Sequence, residues 1–354
     1  MSEIHGKRDE AAHQGAPVRP NSEGPIFVGG LDRSGKTTMR GFLVSHPNIA
    51  IPPVGSNMET YFYDRFGDLG EVENLTRCLE AMLAYSHVRV LEPDPDRIRR
   101  EFADGPPTYA RLFGLFLMHY AEREGKPRWG AQTGLLERYG DYLFSSYPGV
   151  KFIHMVRDPR DRYEASLDLW PTGKGRAGGA TARWRYSLRL AERNRTKYPD
   201  GYLLVRYEDL VTNTEEVLRE VCGFVGEDFH PEMLTMSGAP ERRARLVARR
   251  GVGSSPDLLS SEFIGRFRGR IPRPELAFIQ LHAGRLMRRY GYRPDELHLS
   301  ASEWARFATL DWPGQMARMV AWRSSETIKQ RFPALLPRTP DRRTIVKPRE
   351  GVST

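Results

Sequence analysis

A glycine-rich stretch near the start of the chain carries the residue types that bind phosphate groups. Residues 30–37 read GLDRSGKT and satisfy the pattern G-x-x-x-x-G-K-[ST]. In this pattern the backbone N–H groups of the loop face phosphate oxygens, the lysine reaches further phosphate charge and the hydroxyl adds contacts. We therefore expect a phosphorylated nucleotide as the ligand. The pattern alone does not say which chemical group, if any, is transferred.

The elements that position this loop alternate between strands and helices. Apolar runs at residues 25–28, 152–156 and 202–207 are predicted to be strands, and residues 49–51 form a further short apolar segment. Helices are predicted directly after the glycine-rich loop and, from the spacing of apolar residues, at 107–124, 213–224 and 276–290. Alternating strands and helices indicate a parallel sheet. The predicted fold class is therefore α/β, a P-loop-containing three-layer fold with a mostly parallel central sheet flanked by helices.

Composition suggests how the 354 residues are divided. Residues 1–24 hold almost no β-branched or aromatic side chains and are predicted to be disordered. Residues 25–292 are predicted to be one catalytic domain, because no internal repeat or break in composition separates two cores. Residues 293–336 are expected to form a helical extension and residues 337–354 a disordered basic tail.

The chain is basic, with a formal net charge of +9, which favours anionic ligands. Nucleic acid is not the expected partner, because basic residues are not interleaved with aromatic residues along one stripe. The arginine-rich segment 242–250 has two interpretations, a solvated helix face or a face beside an anionic ligand.

Cysteine content and hydropathy bear on the cellular compartment. Cys78 and Cys222 are too few for a disulfide framework or a four-cysteine metal site. The first residues lack the apolar core of a signal peptide, and the apolar stretch at 112–118 is too short to cross a bilayer. We expect a cytoplasmic protein without a membrane span.

Four short motifs occur in order between residues 25 and 292. They are DRSGKT at 32–37 with SHP at 45–47, FIHMVRDPRD at 152–161, RYEDL at 206–210 and FIGRFR at 263–268. Together they resemble the sulfotransferase family that uses 3′-phosphoadenosine 5′-phosphosulfate, especially its bacterial and tyrosylprotein sulfotransferase branch. The resemblance implies that this nucleotide is the co-substrate and that no metal ion is required.

The resemblance also implies roles for individual residues. The loop residues that would hold the 5′-phosphosulfate are Arg33, Ser34, Gly35, Lys36, Thr37 and Thr38. The residues expected to contact the rest of the nucleotide are Arg157 and Ser166 at the 3′-phosphate, Tyr207 near the adenine, and Arg266, which would close over the nucleotide. An arginine suits the 3′-phosphate because its planar guanidinium group binds two phosphate oxygens at once.

For the transfer itself, the resemblance implies an acceptor hydroxyl on a small molecule, a glycan or a peptide. Glu59 would act as general base, and Arg33 and Lys36 would stabilise the leaving phosphate. Gln132 is a departure from the family, which commonly has a lysine there, because a glutamine carries no charge. Either Lys36 replaces that charge, or the enzyme is slow or inactive.

Two other functions remain open at this stage. A P-loop nucleotide kinase or NTPase using ATP and Mg²⁺ fits residues 30–37, but such enzymes hold the metal with an aspartate at a strand end, whereas these strands end in Arg157 and Arg206. Asp158 follows one of these strands and keeps this alternative alive. A catalytically inactive nucleotide- or glycan-binding protein is the other alternative. Residues 54–70 and 171–180 are expected to form the walls that select the acceptor.

Overall fold

Five parallel strands form the central sheet of the computed structural model, which describes residues 24–332 apart from 169, 174, 249–258 and 260. The strands are β1 (Ile26–Gly30), β2 (Ile49–Ala50), β3 (Arg128–Gln132), β4 (Lys151–Val156) and β5 (Tyr202–Arg206). Their order across the sheet is β2-β3-β1-β4-β5, and every neighbouring pair is parallel. The predicted α/β fold with a mostly parallel sheet is confirmed.

Strand β1 lies at the centre of the sheet, where Ile26 pairs with Gly130 of β3 on one side and with Lys151 of β4 on the other. The chain builds the β3 side first and then crosses β1 to build the β4 side. In open parallel sheets the strand order reverses at such a point, and ligands bind there, outside the carboxyl ends of the strands. The loop that follows β1 is therefore at the expected ligand position.

Helices join the strands and cover both faces of the sheet. In chain order they are α1 (Lys36–Leu43), α2 (Met58–Tyr61), α3 (Val72–Ala84), α4 (Ser86–Arg89), α5 (Pro95–Ala103), α6 (Tyr109–Arg123), α7 (Gly140–Ser146), α8 (Pro159–Leu167), α9 (Ala177–Lys197), α10 (Tyr207–Thr212), α11 (Thr214–Val225), α12 (Pro240–Ala248), α13 (Arg273–Arg289), α14 (Ala301–Arg306) and α15 (Trp312–Arg331). A π-helical segment, Phe307–Asp311, joins α14 to α15.

Alternate residues of each strand enter different cores, because successive side chains of a strand point to opposite faces. Phe27 and Phe152 pack in the core beneath α3, α5 and α6, whereas Val28 and Ile153 pack in the core beneath α1 and α11. The result is the predicted arrangement of three layers. It fixes β1 and β4 rigidly, and with them the loops at their carboxyl ends.

The C-terminal part of the described chain contains helices α14 and α15 and packs on the rest of the chain. Helix α15 lies along α9 and also contacts α13, with Phe307 and Met319 in a small core against Phe278. The structure describes this extension as far as residue 332. The predicted disordered tails lie outside the described residues, except for Gly24.

Two elements near the ligand position were not predicted from the sequence. The sequence of strand β3, RWGAQ, is not an apolar run, since it includes an arginine and a glutamine. Four of its five residues are nevertheless buried. The long helix α9 begins at Ala177, inside the segment 171–180 that was expected to form a wall of the acceptor site and for which no helix was predicted.

Candidate active site

The loop between β1 and α1 offers a site for an anion. Gly35 precedes α1 with a φ of 101°, and no side chain caps the amino end of this helix. The first N–H groups of a helix have no partner within the helix and attract anions. Only glycine fits at position 35, since its φ is left-handed and a Cβ atom would lie 2.5 Å from the ring of Tyr207.

A cavity of about 450 Å³, the first cavity, opens beside this loop at the carboxyl edge of the sheet. Small-molecule sites commonly measure roughly 300–1,000 Å³. The predicted nucleotide-binding residues that line it are Arg33, Gly35, Lys36, Thr37, Thr38, Arg157, Tyr207 and Arg266. Ser34, Ser166 and Glu59 do not line it. The fold thus brings most of the predicted binding residues to one cavity.

Arg157 connects the loop after β1 to the segment around Phe263 across this cavity. Its Nη1 donates a hydrogen bond to the backbone oxygen of Arg33 at 3.2 Å, and its Nη2 donates to the backbone oxygen of Phe263 at 2.7 Å. Its guanidinium carbon lies 4.6 Å from the centre of the Tyr207 ring. These contacts hold a nearly buried cation, 6% exposed, in one orientation at the end of β4. A bound anion would therefore meet a preorganised charge.

Arg33 has an unusual backbone conformation for a residue that is not glycine, with a φ of 69°. Such conformations are costly and occur often at functional sites, where the surrounding structure maintains them. Here the hydrogen bond from Arg157 to the backbone oxygen of Arg33 contributes to that support.

Arg242 is a lining residue that the sequence did not single out. Its Nη2 donates to Oγ1 of the fully buried Thr38 at 2.6 Å, and Arg242 lines the first cavity together with Leu246. Arg242 therefore lies at the wall of the first cavity, the position that the second interpretation of segment 242–250 requires. The arginine-rich pattern was the signal, but only the packing of α12 against α1 selects one arginine.

Ser166 lies elsewhere than the resemblance implied. Its hydroxyl donates to the backbone oxygen of Tyr163 at 2.7 Å, and the residue that faces the first cavity from α8 is Ala165. Successive residues of an α-helix point about 100° apart, so a shift of one position moves a side chain to another face. The 3′-phosphate donor expected from Ser166 is therefore absent from this cavity as the structure describes it.

Two further residues of the predicted set have partners of their own. Ser34 is buried and donates its hydroxyl to the backbone oxygen of Leu31 at 2.6 Å, so its side chain stabilises the loop from inside. Arg266 lines the first cavity and forms an ion pair with Glu164 at 3.2 Å and a longer one with Asp168 at 3.8 Å. Closure of Arg266 over a ligand would compete with these carboxylates.

Lys36 and Asp32 form an ion pair within the loop. The Nζ atom of Lys36 donates to Oδ1 of Asp32 at 3.3 Å and to the backbone oxygen of Gly30 at 3.0 Å. The neighbouring ammonium group is the main reason why the pKa of Asp32 lies below its ordinary value. Asp32 therefore stays ionised at neutral pH, and Lys36 is held at the wall of the first cavity with 9% of its surface exposed.

The β3 side of the first cavity is polar but carries no permanent charge. Gln132 ends β3, and its buried Oε1 has no hydrogen-bond partner among the described residues. Asn57 and His87 lie nearby, with Nδ1 of His87 at 2.7 Å from the backbone oxygen of Gly55. Lys36, and not the β3 side, therefore supplies positive charge at this end.

Glu59 is buried in the aromatic core and not in the cavity wall. It is 1% exposed, and its Oε2 lacks a hydrogen-bond partner among the described residues. Burial raises the pKa of Glu59 to about 7. Burial, and to a smaller extent the charge of Glu59, also raises the pKa of Tyr147. The predicted base thus has a suitable pKa but no direct access to the first cavity.

A buried polar network supports the loop from below. Oε2 of Glu137 accepts a hydrogen bond from the backbone N–H of Gly30 at 3.0 Å, and Oε1 accepts one from Ser187. His154 lies 3.3 Å from Ser187 and 2.7 Å from the Tyr202 hydroxyl, and burial lowers its pKa. The network fixes the end of β1, and no sequence motif marked Glu137.

A second cavity, of about 640 Å³, adjoins the first and shares Asp32 and Trp170 with it. It lies between α8, α9 and α15, and its lining includes Arg162, Arg183, Arg318 and Trp322. Ser166 belongs to this cavity. The two cavities therefore meet at Asp32 and Trp170.

Within the described residues, no group of three or more His, Cys, Asp or Glu side chains is placed to hold a metal ion. No helix in the same part of the chain is long and apolar enough to span a membrane.

Comparison with known proteins identifies relatives of the chain. Protein-tyrosine sulfotransferase from Drosophila melanogaster is 26% identical over 222 residues, which are 60% of this chain and 40% of that protein. Protein-tyrosine sulfotransferase 1 from Danio rerio is 23% identical over 241 residues, 66% of this chain and 62% of the relative. The chain therefore spans less than two thirds of the length of either relative.

The same comparison extends to solved structures and to family models. The sulfotransferase domain of the Synechococcus PCC 7002 olefin synthase aligns with a TM-score of 0.48 and 21% identity, over 79% of this chain and 98% of that domain. A model described as the sulfotransferase family matches residues 25–231, which include β1 to β5 and most of the residues lining the first cavity. Because this match covers more than half of the chain, the protein belongs to the sulfotransferase family.

Proposed function

We propose that the protein transfers the sulfuryl group of 3′-phosphoadenosine 5′-phosphosulfate to a hydroxyl group of an acceptor. The observation that carries this proposal is the first cavity, where the loop after β1 meets Arg157 from the end of β4 and Tyr207 from the end of β5. A nucleotide with phosphate groups at both ends needs two cationic regions on one cavity, and Arg33 and Arg157 provide them. Family membership supports sulfuryl transfer as the reaction.

The residues of the cavity suit the parts of this nucleotide. The amino end of α1, Arg33 and Thr37 would hold the 5′-phosphosulfate, and Arg157 with Arg242 would hold the 3′-phosphate. Tyr207 offers an aromatic face for the adenine. Gly35 lets the loop approach the ring of Tyr207, which a larger side chain would prevent. Arg266 would complete the cavity from the segment after residue 260.

The transfer replaces one bond to sulfur by another. The acceptor oxygen bonds to sulfur while the bond between sulfur and the 5′-phosphate oxygen breaks, and the hydroxyl proton passes to a carboxylate. Negative charge develops on the leaving phosphate, where Arg33 and Lys36 would stabilise it. The other product is 3′,5′-diphosphoadenosine.

Two carboxyl groups are candidates for the proton acceptor. Asp32 lines both cavities, so an acceptor hydroxyl can reach it. Its lowered pKa keeps it ionised, and therefore able to accept a proton, at neutral pH. Glu59, implied by the resemblance, has a pKa near the working pH but is buried away from both cavities. A base must lie within hydrogen-bond reach of the proton. We therefore propose Asp32 as the base and keep Glu59 as the alternative.

The kinase alternative lacks the expected arrangement at the strand ends. A P-loop kinase holds Mg²⁺ with an aspartate after an apolar strand. Asp158 does follow β4, but both of its carboxylate oxygens accept hydrogen bonds from Arg160. Family membership also favours sulfuryl transfer over phosphoryl transfer.

Thermal unfolding with nucleotides tests the proposed function. We expect 3′,5′-diphosphoadenosine without metal to raise the melting temperature by several degrees, because a ligand at 100 times its Kd adds about 2.7 kcal/mol to the stability of the folded state. Adenosine 5′-phosphate, which lacks the 3′-phosphate, should shift the temperature much less. A larger shift with ATP and Mg²⁺ than with 3′,5′-diphosphoadenosine would instead support the kinase.

A second prediction concerns the charge that Gln132 lacks. Lys36→Met is expected to lower turnover about 10²-fold at saturating donor, because one charged group at the leaving phosphate is removed. The matched control is Lys36→Met combined with Gln132→Lys, which returns a lysine to the β3 side and should recover part of the rate. Unchanged turnover in Lys36→Met would rule out Lys36 as the compensating charge.

A further inference from the structure

The second cavity has an excess of positive charge. Four arginines line it, namely Arg162, Arg176, Arg183 and Arg318, and Asp32 is the one acidic residue among its described lining residues. Asp32 already pairs with Lys36 at 3.3 Å. Most of the positive charge in this cavity is therefore not balanced by the lining side chains.

Arg162 is the strongest indication that an anion belongs there. It is 4% exposed, and its Nε donates to the backbone oxygen of Asp32 at 3.2 Å. Among the described residues it has no ion pair with a carboxylate. Burial is the main cause that lowers its pKa, to about 10, and repulsion by Arg183 and Arg157 lowers it further while Asp32 raises it. A buried guanidinium group without a matching carboxylate is costly, and a bound anion would relieve that cost.

Aromatic side chains provide the apolar part of the same cavity. Trp170 lines both this cavity and the first cavity. Trp322 lines it from α15, and the guanidinium carbon of Arg183 lies 5.9 Å from the centre of its ring. Tryptophan faces contact flat apolar rings well. The lining thus combines two ring faces with several guanidinium groups.

One wall of this cavity comes from the C-terminal extension. Arg318, Ala321 and Trp322 lie on α15, beyond residues 25–231 that match the family. The family match therefore does not specify this wall.

We propose that the second cavity is the acceptor site and selects hydroxyaryl acids, small molecules that carry a ring, a hydroxyl group and a carboxylate, phosphate or sulfate group. The anionic group would lie against Arg162, Arg183 and Arg318, and the ring against Trp170 or Trp322. The hydroxyl would face Asp32, which accepts its proton when the oxygen bonds to the sulfur atom of the donor. This inference rests on the proposed sulfuryl transfer.

The experiment compares two probes of the same shape and different charge. Binding of 4-hydroxyphenylacetate and of its neutral amide, 4-hydroxyphenylacetamide, is measured by calorimetry on the full chain saturated with 3′,5′-diphosphoadenosine. We expect the carboxylate to bind about tenfold more tightly, which corresponds to about 1.4 kcal/mol, because charge-assisted hydrogen bonds to guanidinium groups are stronger than neutral ones. Initial rates with the sulfuryl donor should show the same preference.

Two variants on α15 test the location of the anion. Arg318→Gln should remove most of the preference for the carboxylate. Arg323→Gln removes the same charge from the same helix but lies outside the second cavity, and it should keep the preference. Binding of 3′,5′-diphosphoadenosine should be unchanged in both variants.

The outcomes separate this inference from the proposed function. If 3′,5′-diphosphoadenosine binds but the two probes bind equally, or if Arg323→Gln reduces the preference as much as Arg318→Gln, the acceptor inference is overturned and sulfuryl transfer stands. If 3′,5′-diphosphoadenosine does not bind, the proposed function fails first. A carboxylate preference that survives Arg318→Gln would place the anion elsewhere and also contradict the inference.

Discussion

Replacing Asp32 with asparagine is expected to lower turnover by roughly 10²- to 10⁴-fold, the usual contribution of a positioned general base. Asparagine keeps the shape of the side chain but cannot accept the proton. The measurement is turnover at saturating donor and acceptor, with 4-hydroxyphenylacetate as the acceptor. Asp32→Asn also removes the ion-pair partner of Lys36, so the Kd of 3′,5′-diphosphoadenosine is measured in the same variant. A loss of nucleotide binding as large as the loss of turnover would assign the effect to the ion pair and contradict the role of Asp32 as base.

The pH dependence distinguishes the two carboxyl groups in the parent enzyme. A base works only when deprotonated. The pKa of Asp32 lies below its ordinary value, so Asp32 is deprotonated throughout the range from pH 6 to 8. If Asp32 is the base, its titration should cause no change of turnover in that range. The pKa of Glu59 is raised to about 7, so turnover limited by Glu59 should fall as the pH drops below 7. A fall in that range that disappears in Glu59→Gln would favour Glu59.

Glu59→Gln also reports on burial through stability. The pKa of Glu59 rises from an ordinary value of 4.5 to about 7 on folding, so the unfolded chain loses the proton first as the pH rises. The folded state of the parent is therefore destabilised between pH 4.5 and 7, in total by about 3 kcal/mol. Glutamine has no such penalty. The melting temperature of Glu59→Gln minus that of the parent should therefore increase as the pH rises from 4.5 to 7. If this difference in melting temperature increases and the turnover of Glu59→Gln is normal, Glu59 is a buried residue of the core and not the general base.

Arg157→Ala is expected to weaken binding of 3′,5′-diphosphoadenosine by roughly 10²- to 10³-fold. Truncating one partner of a buried charge pair costs about 2–5 kcal/mol. Binding of adenosine 5′-phosphate should change much less, because that nucleotide lacks the 3′-phosphate. The comparison of the two nucleotides by calorimetry tests the proposed contact between Arg157 and the 3′-phosphate.

Arg157 also has structural contacts, which the same experiment controls. Its Nη groups donate to the backbone oxygens of Arg33 and Phe263, so Arg157→Ala could disturb the loop generally. A general disturbance would weaken both nucleotides equally. Equal losses of affinity for 3′,5′-diphosphoadenosine and adenosine 5′-phosphate would therefore contradict the proposal that Arg157 binds the 3′-phosphate.

The sequence was sufficient for features that depend on short-range order. Apolar strands followed by a glycine-rich turn or an arginine predicted the parallel sheet and the loop after β1, because parallel strands must end at one edge. The loop, Arg157 and Tyr207 then had to lie near one another. Strand β3 was missed because burial on both faces, and not an apolar run, makes RWGAQ a strand.

The sequence was insufficient where one residue position decides which way a side chain points. Ser166 and Ala165 are neighbours in the chain, yet the turn of α8 directs them to different cavities. The sequence does not distinguish Arg242 from the other arginines of its segment, and only the packing of α12 places Arg242 at the wall of the first cavity. The resemblance implied Glu59 as the general base, but the burial of Glu59 depends on how α2 packs against the aromatic core.

The sequence by itself determined the phosphate-binding pattern of residues 30–37 at the end of β1, because the glycine, lysine and hydroxyl residues that the pattern requires are neighbours in the chain. The tertiary structure alone decided which residues lie next to that loop. The second cavity joins Asp32 to Arg318, residues nearly 300 positions apart, and no local pattern relates them. Contacts of that kind form only when α15 packs on α9, since the free energy that holds them comes from burial between distant helices and not from the local chain.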